Sequence, residues 1–204
     1  MTADKTGGRL IHSALAYDLL VGLLTLGRED VVREAFLELA RLRPGERVLD
    51  VGCGTGALAI AAKRRLGPGR VVGIDASPEM IERAHKKAVN VRVDVDFRVG
   101  IVELLPFADA EFDVVLSTLM LHHLPRAARE TCMQEIARVL KPGGRVLAVD
   151  FMRDDSMKGI IALLHRHGGL KVDDIIGLVR AAELTRVASG AVGKLGLYYV
   201  LARK

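Results

Sequence analysis

The sequence predicts an α/β protein with a mostly parallel sheet between two layers of helix. Short apolar runs of strand composition alternate with helical runs five times from about residue 44 onward. The returns between them carry Gly or Pro, and two adjacent strand candidates close the chain as a hairpin. Parallel neighbours need long crossovers, which the helical runs supply, whereas the hairpin forces one strand to run against the rest. At 204 residues, half of them hydrophobic, the chain has enough apolar material for one domain over residues 1–204.

Residues 1–8 are polar and contain two glycines, so a frayed start is expected. Ile11, Leu15, Leu19, Leu23 and Leu26 then recur at helical spacing, and a second helical run covers 31–42. Arg43-Pro44-Gly45-Glu46 turns the chain into a first strand, Arg47 to Val51. Gly52, Gly54 and Gly56 follow, then an alanine-rich helix from Ala57 to Leu66, closed by Gly67. A second strand, Arg70 to Asp75, leads into a helix that Ser77 caps and Pro78 starts. Residues 91–97 alternate strictly between apolar and polar, which predicts an edge strand with one wet face.

Further along, residues 103–107 read as a loop with apolar anchors, and 111–117 as a strand. A helix is expected from Pro125, with Cys132, Ile136 and Leu140 on its inner stripe. Lys141-Pro142-Gly143-Gly144 reads as a turn into a strand from Arg145 to Asp150. Residues 153–182 look helical with an interruption at Gly168-Gly169, and strands are expected at 184–188 and 195–202.

The stretch around the three glycines carries the chemistry. A strand, a tight turn and a helix N-terminus form a nucleotide-sized cradle, because glycine leaves no Cβ between backbone and ligand. A dinucleotide fingerprint spaces its glycines G-x-G-x-x-G. This chain instead has Asp50-x-Gly52-x-Gly54-x-Gly56, with a carboxylate ahead of the glycines. That carboxylate would repel a pyrophosphate but suits a cationic ammonium, as in S-adenosylmethionine (SAM). Asp75 ends the second strand nineteen residues after Gly56, near the spacing at which such folds place a ribose-binding acid.

Composition narrows the partners. Aromatics make up 4% of the residues and Trp is absent, which argues against a base-stacking surface for single-stranded nucleic acid. The net charge of +5 is spread over short clusters such as Lys63-Arg64-Arg65 and Lys86-Lys87, each on an expected helix. Solvated helix faces account for these better than a nucleic-acid footprint. Two cysteines, Cys53 and Cys132, give neither a disulfide framework nor metal spacing, so a reducing cytoplasm and no metal are expected. The apolar stretch from Leu10 to Leu26 is interrupted by His12, Tyr17 and Asp18 and reads as neither a signal peptide nor a transmembrane segment.

The D-x-G-x-G-x-G run resembles the first motif of the class I SAM-dependent methyltransferases. Residues 71–80, Val-Val-Gly-Ile-Asp-Ala-Ser-Pro-Glu-Met, resemble the second motif of that family. Phe112-Asp113-Val114-Val115 with Leu121-His122-His123-Leu124 resembles the fourth, and Val139 to Gly144 the segment after it. Within the family the chain is most similar to the ubiquinone/menaquinone methyltransferase-like subgroup.

The resemblance implies a Rossmann-like seven-stranded sheet of order 3-2-1-4-5-7-6, with strand 7 antiparallel. It implies SAM as cofactor, S-adenosylhomocysteine as product, and a small-molecule or lipid-like acceptor methylated by in-line displacement. The helical segment 9–43 would then cover the cofactor and substrate site. Cofactor-binding positions carried over are Asp50, Gly52, Cys53, Gly54, Gly56, Asp75, Ala76, Met80, Ile101, Val102 and Ser117. The family commonly places Asp-Ala where this chain has Ile101-Val102, so a side-chain hydrogen bond to the adenine amino group is missing. Such a bond contributes on the order of 1 kcal/mol, a several-fold effect on affinity.

Methyl transfer demands alignment and exclusion of water more than it demands a universal base. If the acceptor must lose a proton, the candidates are His122, His123 and Tyr17; packing or surface roles for both histidines compete with this. Asp113 reads as a structural turn residue, and Asp150, at the end of a central strand, faces the ligand region with its role open. Two other readings stand beside the small-molecule enzyme: an RNA methyltransferase, and a SAM-binding module without catalysis.

Overall fold

A computed structural model of the chain describes residues 29–151, 170–193 and 196–204. Seven strands form one sheet: β1 (Arg47–Val51), β2 (Arg70–Asp75), β3 (Asp96–Val99), β4 (Phe112–Thr118), β5 (Leu140–Phe151), β6 (Thr185–Val192) and β7 (Leu197–Arg203). Their order is β3-β2-β1-β4-β5-β7-β6, with β7 antiparallel to both of its neighbours and the other pairs parallel. The expected architecture and strand order are both present.

Among the described residues the α-helices are α1 (Glu29–Ala40), α2 (Ala57–Leu66), α3 (Pro78–Asn90), α4 (Arg126–Val139) and α5 (Val172–Ala181). Because strand side chains alternate, each strand feeds two cores. Leu49, Val51, Val115 and Ala148 face Cys132, Met133 and Ile136 of α4 and Ile175 and Val179 of α5. Val48, Val114, Leu116 and Leu147 face Phe36 and Leu37 of α1, Leu58 and Ala59 of α2, and Ile81 and Ala84 of α3. The central strands are therefore apolar on both faces, as parallel strands between helices require.

Of the expected N-terminal cover, the described part begins at Glu29. There α1 packs on the sheet, and the Arg145 guanidinium takes the carbonyls of Ala40 and Arg41 at 2.7 and 2.6 Å while pairing with Glu46. The stripe from Ile11 to Leu26 and Tyr17 lie outside the described residues, as does most of the helical run expected at 153–182.

Two boundaries differ from expectation for local reasons. The edge strand occupies Asp96–Val99 rather than 91–97. Helix α3 runs to Asn90, and Arg92, at a left-handed φ of 54°, wraps the chain back so that the Val93 amide donates to Ala88. The alternation at 91–95 thus belongs to a helix end that buries Val95. Likewise, the turn expected at 141–144 is a bulge within β5: its pairing jumps from Phe112–Leu140 to Val114–Arg145. The chain end clamps that bulge, with the Gly143 amide donating to Lys204 and the Lys204 amide to Gly144. Asp113 is structural, accepting the Arg47 amide and the Lys141 ammonium at 2.8 Å each.

Candidate cofactor and methyl-transfer site

The glycine turn leaves β1 and is tied to the end of β2. Gly52 and Cys53 both donate their amides to the Ile74 carbonyl, at 2.8 and 3.0 Å. The Gly54 amide donates to Asp75 Oδ2 at 2.9 Å, and the Ser77 amide to Asp75 Oδ1 at 2.9 Å. One carboxylate therefore fixes both the turn and the entry to α3. Ser77 caps that helix through the Met80 amide, which places Met80 buried beneath its first turn. Ala76 lies between these anchors. Gly100 donates its amide to the Asp75 carbonyl, bringing half-exposed Ile101 and buried Val102 to the same end of the sheet.

Gly52 and Gly56 have φ of 68° and 76°, in the left-handed region. A Cβ on Gly52 would stand 2.3 Å from Met120 Cγ, so the residue after β4 and Leu119 closes against the glycine turn. Gly52→Ala is expected to cost about 1–2 kcal/mol from the left-handed conformation, with Met120 pushed aside. Urea melts of the ligand-free variant measure this cost.

Asp50 is 1% exposed, and its Oδ2 has no hydrogen-bond partner among the described residues. Burial, with the Asp75 charge adding to it, pushes this carboxyl up to about 8, while the Ala59 amide pulls the other way. Asp75 is also raised by burial, partly offset by the amides of Ser77 and Gly54. The Cys53 thiol is pushed well up by burial and by the two carboxylates, so it is no nucleophile. Buried Ser117 likewise has no partner for Oγ among the described residues. A buried acid with one oxygen unpaired among the described residues, beside glycines that leave no Cβ in the way, fits a ligand that brings an ammonium group.

At the carboxyl ends of β4 and β5, His122 and His123 lie on a 3₁₀ turn, Leu121–His123. His122 Nδ1 is 2.6 Å from Asp150 Oδ1, and its amide donates to Asp150 Oδ2 at 3.1 Å. The His123 ring packs against the His122 ring with centroids 3.9 Å apart. The structure thus gathers the predicted residues of β1, β2, β4 and their loops at the carboxyl ends of neighbouring strands. Two partners were not signalled in the sequence as such: Met120, which seals the glycine turn, and Asp150 as the anchor of His122.

A methyltransferase domain family matches residues 48–144. The chain is 36% identical over 150 residues to a demethylmenaquinone methyltransferase of Thermus thermophilus, covering 74% of this chain and 66% of that protein. It is 35% identical over 133 residues to the Lactobacillus johnsonii demethylmenaquinone methyltransferase, covering 64% and 54% of the two chains. The chain spans 39% to 66% of the first curated relatives it matches. A SAM-dependent methyltransferase structure from Aquifex aeolicus superposes with a TM-score of 0.76 at 22% identity, over 95% of this chain and 99% of that one, a likeness of fold. With the glycine turn, the strand order and these relatives together, the chain belongs to the class I SAM-dependent methyltransferase family.

Proposed function

We propose that this chain transfers a methyl group from SAM to a small, lipid-like acceptor in the cytoplasm. The observation that carries the reading is the buried Asp50 Oδ2 behind the glycine turn, without a partner among the described residues, with Asp75 ending the neighbouring strand. Relatives named for demethylmenaquinone and for ubiquinone/menaquinone biosynthesis support a quinone-like acceptor over RNA. No helix among the described residues is long and apolar enough to cross a membrane.

In this reading Gly52, Cys53, Gly54 and Gly56 form the floor, and Asp50 in its ionised form takes the ammonium. Asp75 accepts from the ribose hydroxyls with the lone pairs its backbone partners leave over. Ala76 and Met80 line one side of the adenine, Ile101 and Val102 the other, and Ser117 lies at the sheet end nearby. When bound, SAM supplies a methyl carbon already activated by its sulfonium. The protein's share is alignment and exclusion of water.

Calorimetry with S-adenosylhomocysteine tests the site on the full chain. Binding with Kd on the order of 10 µM, about −7 kcal/mol, is expected. Absence of binding at 1 mM, on the order of one hundred times that Kd, overturns the reading.

A further inference from the structure

Asp150 is fully buried, and three donors converge on its carboxylate. The Phe151 amide donates to Oδ1 at 2.8 Å and the His122 amide to Oδ2 at 3.1 Å. The third contact, His122 Nδ1 to Oδ1 at 2.6 Å, therefore places an N–H at Nδ1. Phe151 meets the imidazole edge-on with centroids 5.6 Å apart, and His123 also packs against it. The ring is held by its anchor and its neighbours, with 15% of the side chain left exposed. In a neutral imidazole carrying its proton on Nδ1, Nε2 holds the lone pair.

The place of this pair matters as much as its geometry. Leu119 has a left-handed φ of 54° and donates its amide to Val149, which turns the chain sharply at the end of β4. Met120 then closes on Gly52, and His122 follows two residues later. His122 therefore lies at the carboxyl end of the sheet, two residues beyond the contact of Met120 with the glycine turn, where open α/β sheets bind ligands. Arg129 supports the turn from below through the Leu121 carbonyl at 2.9 Å. Arg129, beside the pair, feels the charges of Asp150 and, from α5, of Asp174.

We infer that Asp150 fixes His122 with its proton on Nδ1, so that Nε2 takes a proton from the methyl acceptor, which attacks through a hydroxyl oxygen or an acidic carbon rather than an amine. The inference rests on the methyl-transfer reading above. An amine attacks with its own lone pair and sheds its proton afterwards, whereas a hydroxyl or C–H acid gains from losing its proton as it attacks. As the bond from the acceptor atom to the methyl carbon forms, the carbon–sulfur bond breaks and its electron pair stays on sulfur. The acceptor's proton moves to Nε2, and the resulting imidazolium sits against the Asp150 carboxylate until the proton passes to water. His122 is the catalytic residue of this step and Asp150 its positioning residue.

Two measurements on the full chain test this. Ethoxycarbonylation of His122 at Nε2 by diethyl pyrocarbonate should slow at least fivefold when S-adenosylhomocysteine saturates the protein. Methyl transfer to 1,4-naphthohydroquinone, used as the probe acceptor, should fall on the order of 10²- to 10⁴-fold in His122→Ala, with partial rescue by added imidazole. Asp150→Asn should lower kcat at least tenfold with KM and S-adenosylhomocysteine affinity within twofold of the parent, which a purely structural role would not produce. A parent protein that binds S-adenosylhomocysteine yet shows unprotected His122, an unmethylated hydroquinone, or undiminished transfer in His122→Ala overturns the inference. Failure of S-adenosylhomocysteine to bind the parent instead overturns the methyl-transfer reading itself.

Discussion

Asp50→Asn is expected to stabilise the ligand-free protein by up to about 5 kcal/mol at pH 8, with the gain shrinking to about 1.4 kcal/mol at pH 5. Burial first, and the Asp75 charge second, hold the folded carboxyl at about 8. In the unfolded chain it titrates near 4, about four units lower. The folded value is thus raised for an acid, and the sign follows. As pH rises from about 4, the unfolded chain ionises while the native state keeps its proton. Native stability then falls by up to about 1.4 kcal/mol per pH unit, and the loss is complete above about pH 8. An amide has no proton to lose, so the variant escapes this slope. Urea melts of parent and variant at pH 5, 6, 7 and 8 read the difference, and parallel curves would refute it.

The same substitution should damage cofactor binding, because an ammonium group wants the ionised carboxylate whose formation burial opposes. For the parent, SAM binding should release close to one proton at pH 7 and strengthen up to tenfold per pH unit below about pH 8. In Asp50→Asn the affinity should be lower and flat with pH. Calorimetry in buffers of different ionisation enthalpy counts the protons. Stability and function are then opposed at one buried atom, Oδ2. Active sites commonly hold such oppositions.

Local signals carried much of this architecture. The strand, three alternate glycines and alanine-rich helix around Asp50 agree at every level, and the structure places them as read. What depended on spatial neighbours was less legible. The alternation at 91–97 is real, but Arg92 turns left-handed and spends it on a helix end, and no residue type there announces that conformation. Lys141 to Gly144 has every mark of a turn, yet the backbone of Lys204 pairs with Gly143 and Gly144 and keeps the segment within a strand. His122 and Asp150 are 28 residues apart, and only the pairing of β4 with β5 brings them to 2.6 Å. Met120 on Gly52 has no local signature at all, since any flexible apolar side chain would read the same.

Asp75→Ala is expected to weaken SAM binding roughly 30- to 150-fold, on the order of 2–3 kcal/mol, from the loss of charge-assisted bonds to the ribose hydroxyls. Its geometry adds a second consequence. Asp75 accepts from Gly54 on one oxygen and Ser77 on the other, so alanine strands two amides as well. The glycine turn would lose its tie to β2, and the ligand-free protein should unfold at lower denaturant concentration. The two effects separate by comparison with Asp75→Asn. That side chain keeps one carbonyl oxygen for a backbone amide but gives up the negative charge that would face the ribose hydroxyls. It should recover part of the stability and little of the affinity. Calorimetry with SAM and urea melts without it, run on both variants, make the comparison. Unchanged SAM affinity in Asp75→Ala would remove Asp75 from the cofactor site and leave it a turn residue only.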